Sequence, residues 1–73
     1  MFNIRKSYEG SPSKNKIEEK GLSLEKAQFE LDINERLWRK NGGSVIERTE
    51  FQLVCEESDD SEVITWTIQE IED

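Results

Sequence analysis

From Ser23 to Asn41 apolar residues recur at intervals of three and four, with neither Pro nor Gly among them, a pattern that predicts an α-helix. Placed at about 100° per residue, they form two stripes rather than one. Leu24, Ala27, Leu31 and Trp38 share one face; Phe29, Ile33 and Leu37 lie nearly opposite. The ends are marked as well. Ser23 is a capping residue, and Leu22 stands where it can staple against Ala27, although Lys26 occupies the position that a capping box gives to an acid. Arg39 and Lys40 suit the negative end of the helix dipole, and Asn41-Gly42-Gly43 supplies residues that tolerate positive φ. Asp32 with Arg36 and Glu35 with Arg39 are acid-before-base pairs four residues apart, each worth about 0.3–0.5 kcal/mol on a helix.

Elsewhere the period is close to two. Phe2, Ile4 and Tyr8 alternate with polar neighbours and predict a half-buried strand. Residues 9–21 read as a connector, turn-rich around Gly10, Pro12 and Asn15, with room for a short returning strand at 17–20 before Gly21. Ser44 to Glu57 reads as one long strand with Phe51, Leu53 and Cys55 inward and Arg48, Glu50, Gln52 and Glu56 outward. An acidic, turn-prone tip follows at 56–62, and Glu62 to Ile71 alternates again, with Ile64, Trp66 and Ile68 inward. These two runs predict a hairpin whose tip, lacking Asn-Gly or Asp-Gly, takes four or five residues. Residues 70–73 are expected to fray.

The resulting fold class is α+β: a single domain over 1–73, with one helix packed on a small antiparallel-rich sheet of three or four strands in the order β-(β)-α-β-β. Trp38 and Trp66 are the largest side chains expected to meet. A helix lying on one sheet needs only its Leu24, Ala27, Leu31 and Trp38 face. Phe29, Ile33 and Leu37 are therefore covered by the long segment before the helix, or by a partner, or stand in water.

Composition sharpens that question. A chain of 73 residues buries only about 60% of its extended surface. With one Cys and no His it has neither an internal disulfide nor the usual zinc ligand to reinforce the core, which leaves oligomerisation. A homodimer is the expectation. The net charge of −7 is unevenly placed: residues 1–43 carry nine Lys and Arg against seven acids, whereas 44–73 carry one Arg against ten acids. That acidity argues against direct nucleic-acid binding by the C-terminal half, where phosphates would have to be neutralised. It suits a basic protein surface instead. The N-terminal Met-Phe-Asn-Ile-Arg-Lys has no apolar stretch of a targeting signal, and no segment has the length of a membrane span, so a cytoplasmic protein without membrane contact is expected.

Catalytic chemistry finds little to work with. Cys55 lies in phase with Phe51 and Leu53, has no His to activate it, and has acidic neighbours that raise a thiol pKa, so it reads as a buried apolar residue. Glu56, Glu57, Asp59, Asp60 and Glu62 lack the ligand spacing and central Gly of a calcium loop. Gly42-Gly43 follows the helix instead of preceding it, the wrong end for a phosphate. No catalytic residue, cofactor or metal is expected, and the chain is not expected to be an enzyme. Arg5, Lys6, Lys14, Lys16 and Lys20 around Tyr8 give a faint phosphate-binding strip. The candidate partner-binding residues are Phe29, Ile33 and Leu37 on the helix, and Glu47, Glu50, Glu56 and Glu62 on the hairpin.

The helix start Ser23-Leu24-Glu25-Lys26-Ala27 and the late strand Glu62-Val63-Ile64-Thr65-Trp66 resemble those of many short uncharacterised proteins encoded by phages and prophages, with a strand–helix–hairpin layout. The resemblance implies a mode of action, binding to a larger host or viral protein, and carries over no functional residue. The expected function is thus a small acidic protein-interaction module, plausible as a phage-type modulator. The alternative is a nucleic-acid-associated protein, either an acidic mimic of DNA or a weak direct binder through the N-terminal basic residues.

Overall fold

The computed structural model describes residues 1–57 and 62–71. Its elements run β1 (Phe2–Tyr8), a single 3-10 turn (Pro12–Lys14), β2 (Lys16–Leu22), α1 (Leu24–Lys40), β3 (Ser44–Arg48), β4 (Gln52–Glu56) and β5 (Val63–Glu70). The class is α+β. The strands form one antiparallel sheet in the order β2-β1-β5-β4-β3, so there are five strands where three or four were expected.

Two of the five come from connections that the pattern hides. β2 covers the whole of 16–22 despite having one Ile and one Leu to bury, because it is an edge strand that rests on β1. Extra residues in β2, between its pairings at Leu22, Glu19 and Ile17, bulge the strand against β1. Gly21 accommodates one of these bulges with φ +68°, a conformation that other residues resist. Its N–H donates to Asn3 Oδ1 at 3.2 Å, which satisfies a nearly buried amide.

The long run Ser44 to Glu57 is two strands, not one. Thr49 N–H donates to the Gln52 carbonyl at 2.8 Å and Phe51 N–H to Thr49 Oγ1 at 3.3 Å, closing a tight turn through Glu50 and Phe51 that has no Gly or Asn to announce it. The turn breaks the alternation. Phe51, expected in the core, is 45% exposed, and Arg48, expected on the wet face, pairs in register with Leu53 beneath the helix. A bulge at Ile46, between the Val45–Cys55 and Glu47–Val54 pairs, adds to the shift of phase. The tip residues 58–61 and the last two residues lie outside the described part, whereas Ile71 N–H still reaches the Met1 carbonyl at 2.8 Å.

The helix forms as its ends dictate. Ser23 Oγ accepts from Lys26 N–H at 3.1 Å, and Leu22 and Ala27 are both buried in the core. At the other end Gly43 N–H reaches the Trp38 carbonyl and Gly42 N–H the Arg39 carbonyl, with Gly42 at φ +86°; this double closure is the Schellman motif. Gly43 also has to be Gly, since a Cβ there would collide with the Trp38 indole.

One core results, between α1 and one face of the sheet. Ile4, Ala27, Leu31, Leu53, Cys55, Ile64 and Trp66 are at most 2% exposed. Trp38 meets Trp66 edge-on, with ring centroids 5.5 Å apart at 76°, an arrangement worth about 0.5–1.5 kcal/mol beyond its area. Both indole N–H groups are satisfied: Trp38 donates to the Glu56 carbonyl at 3.1 Å and Trp66 to Glu18 Oε2 at 2.9 Å. Among the described residues no helix is long and apolar enough to cross a membrane.

Candidate functional site: the outward face of the helix

The two helical stripes are buried unequally. Ala27 and Leu31 are fully buried, and Leu24 and Trp38 pack on the core, whereas Phe29 is 55% exposed, Leu37 51% exposed and Ile33 half-buried. The segment before the helix, one of the three candidates to cover the second stripe, forms β2 and pairs into the sheet. Phe29 borders a shallow groove of about 520 Å³ along the first turns of the helix, with Ser23, Glu25, Lys26, Gln28 and Asp32 as its other walls.

The charges around this stripe are set by a residue outside the helix. Arg48 reaches back from β3 and places Nη2 2.7 Å from Asp32 Oδ1, with Nε 3.6 Å from Glu35 Oε1. It also donates to the Gln28 and Thr49 carbonyls. Glu35 keeps its expected partner, Arg39, at 3.0 Å. The expected Asp32–Arg36 pair does not form, because Asp32 is drawn sideways to Arg48. Among the described residues Arg36, Lys26 and Lys40 then have no ion-pair partner, and all three are exposed. By helical phase Lys26 and Lys40 project between the directions of Phe29, Ile33 and Leu37, with Arg36 beside Phe29; Glu25 and Glu30 lie at the margins. Thus the outward face is apolar with a mixed rim, in which Lys26, Arg36 and Lys40 stand among Glu25, Glu30 and Asp32.

The four glutamates of the hairpin are not gathered in this way. Glu47 pairs with Val54, and Glu56 sits two positions along β4 from Val54, so these two share the sheet face opposite the helix. Glu50 lies in the turn at one end of the β3–β4 hairpin. Glu62 lies at the other end of the sheet, where Glu57 N–H donates to its carbonyl, and its side chain packs beside Gly10.

The N-terminal basic residues also separate. Lys6 and Lys14 place Nζ 5.2 and 5.9 Å from the Tyr8 ring centroid, and Lys6 is equally close to Trp66. Asn15 Oδ1, accepting from Tyr8 N–H at 2.7 Å, holds the loop that brings Lys14 there. Arg5 points to the other face of the sheet, opposite Ile17, and Lys20 lies toward the far end of β2. The sheet face away from the helix presents Arg5, Ser7, Gln52, Val54, Thr65 and Thr67 and, among the described residues, no aromatic ring on which a base could stack.

The remaining chemistry is structural. Burial, reinforced by Glu35, pushes the Cys55 thiol up to about 11, so it is protonated at neutral pH. A crevice of about 110 Å³ between α1 and the β1–β2 edge is lined by Ile4, Glu18, Glu19, Glu30 and Asn34; that is below the size of ordinary substrate pockets. Glu18 is already the acceptor for Trp66. Among the described residues no group of His, Cys, Asp and Glu is placed to hold a metal ion. Arg48 and Glu18 are the two residues at these sites that the alternation of the sequence did not indicate. No protein family, curated protein or solved structure matches the chain.

Proposed function

We propose that this chain is a small protein-interaction module, acting by binding rather than catalysis, and that the outward face of α1 is its docking surface. One observation carries this reading: the core closes on Ala27, Leu31 and Trp38 while Phe29 and Leu37, on the same helix, remain about half exposed. Phe29 and Leu37 stand about half exposed with Ile33 half-buried between them, and an apolar patch of this kind suits an interaction site. A phage-type modulator of a larger protein fits such a layout, since its whole mass would serve to present one rigid helix.

The same face could be used for self-association. Its three side chains offer on the order of 300 Å² of apolar surface, judged from the 150–250 Å² of a whole aromatic side chain, against about 800 Å² per partner in a standard interface. A homodimer therefore needs more of the molecule than this stripe, and a larger partner can wrap further around it. The nucleic-acid reading rests on charge alone, because Glu47 and Glu56 are the only two of the four candidate glutamates that share a sheet face.

The test is capture from a lysate of the source cells, with wild type compared against a Phe29→Ser/Leu37→Ser variant that retains its circular dichroism spectrum. Loss of the captured protein in the variant, at low and high salt alike, is the expected result. Capture that survives the double substitution but disappears with salt would move the docking surface to the acidic hairpin.

A further inference from the structure

We infer that residues 16–20 of β2 form a strap that opens from the edge of β1 as one unit while the rest of the fold stays closed. Three observations place the weak point of the molecule there. Among the buried core residues only Leu22 comes from β2, and Ile17, the strand's other apolar residue, is 40% exposed. The pairing with β1 shifts register twice, between Leu22 and Glu19 and again between Glu19 and Ile17, and each bulge interrupts the ladder of hydrogen bonds. As the outermost strand, β2 also has β1 as its one neighbour in the sheet. Segments with few buried apolar contacts and solvent-facing backbone open at free energies below that of the whole fold.

What holds the strap lies at its ends and at one point between. Before it, Asn15 Oδ1 accepts from Tyr8 N–H at 2.7 Å; after it, Asn3 Oδ1 accepts from Gly21 N–H at 3.2 Å, and Leu22 enters the core. Gly21, at φ +68°, turns about its backbone with no Cβ to resist and serves as the hinge. Between these pins Glu18 Oε2 accepts the Trp66 indole N–H at 2.9 Å. That bond is the latch: Trp66 is 2% exposed, and a buried N–H parted from its acceptor is costly unless water takes the acceptor's place. Lifting 16–20 removes the acceptor and admits water in the same movement. It also bares the hydrogen-bonding edge of β1 and opens the crevice that Glu18 and Glu19 line with Ile4, Glu30 and Asn34.

Native-state hydrogen exchange, followed at rising urea concentrations below the unfolding transition, reads this opening directly. The amides of 16–20 that bond to β1 are expected to exchange about 100-fold or more faster than those of Leu31 and Trp66. They should share one urea dependence, above zero and shallower than that of global unfolding. Ile64→Val, which thins the core, should speed exchange at Leu31 and Trp66 by roughly 2–10-fold and leave 16–20 unchanged. Glu18→Ala should speed both sets by the same factor, because the latch is lost in either opening. Exchange of 16–20 at the rate and urea dependence of the core would overturn the inference, since β2 would then open only with the whole fold. Unequal rates without urea dependence would overturn it as well, in favour of residue-by-residue fraying. Acceleration of the core alone, or of neither set, by Glu18→Ala would overturn the part given to Glu18.

Discussion

Leu31→Ala is the substitution that the fold should tolerate least on the helix. Leu31 is fully buried, between the helix and the sheet residues that form the core with it. Truncation to Ala removes its burial and leaves a cavity that the surrounding strands fill only in part, at a cost of about 2–5 kcal/mol. A domain of this length holds roughly 4–11 kcal/mol in total, at about 0.05–0.15 kcal/mol per residue, so the loss takes a large share of it. For a chain of this size each kcal/mol moves Tm by about 4–8 °C, and a drop on the order of 10 °C or more is expected. Leu37→Ala is the matched control. The same side chain, 51% exposed on the opposite stripe, loses little packing, and a cost below about 1 kcal/mol follows. Circular dichroism melts of both variants, each at low and high protein concentration, separate packing from association, because only association makes Tm depend on concentration. Equal destabilisation by Leu37→Ala at every concentration would refute the division of the helix into a core face and a docking face.

Three further outcomes follow from particular contacts. Arg48→Ala should destabilise by roughly 1–2 kcal/mol, given its part exposure and several partners, while Arg36→Ala stays within about 0.5 kcal/mol; urea titrations measure both, and the reverse order would mean that Asp32 pairs within the helix after all. Gly43→Ala should cost about 1–3 kcal/mol through the collision with Trp38, together with an altered tryptophan emission spectrum; an unchanged spectrum and melt would show that the helix end is loose. The Cys55 thiol, raised from 9.0 to about 11 by burial, is neutral when folded, so between those values the unfolded chain ionises first and stability falls as pH rises. The loss from pH 8 to pH 10.5 should be smaller in Cys55→Ala, and an identical loss in both proteins would contradict the assignment.

What the sequence made legible were the features written in short-range chemistry. The helix, its Ser23 cap, its glycine closure and the phase separating Leu31 from Ile33 all depend on residues within a few positions of each other, and all appear as expected. The same holds for β1 and for the alternation that sends Ile64, Trp66 and Ile68 inward. What escaped depends on pairing at a distance. The turn at Glu50 and Phe51 carries no Gly or Asn, so two strands read as one and the phase of Arg48 inverted. With Arg48 misplaced, the diversion of Asp32 away from Arg36 could not be foreseen. β2 was uncertain because its stability comes from β1 and from the Glu18 contact with Trp66, not from apolar residues of its own. Of the site, then, Phe29, Ile33 and Leu37 were visible from helical phase, while the pairing of Asp32 with Arg48 was visible only in the folded chain.

Thiol labelling measures directly whether any part of this chain covers Phe29 and Leu37, which none of the described residues buries. In a Cys55→Ala background, single substitutions Phe29→Cys, Leu37→Cys and, for comparison, Leu31→Cys report access position by position. The thiols at 29 and 37 are expected to react within a few-fold of their rate in the unfolded chain at low protein concentration, while the one at 31 is strongly protected. Protection of 29 and 37 to the same degree as 31, at every concentration, would contradict that exposure.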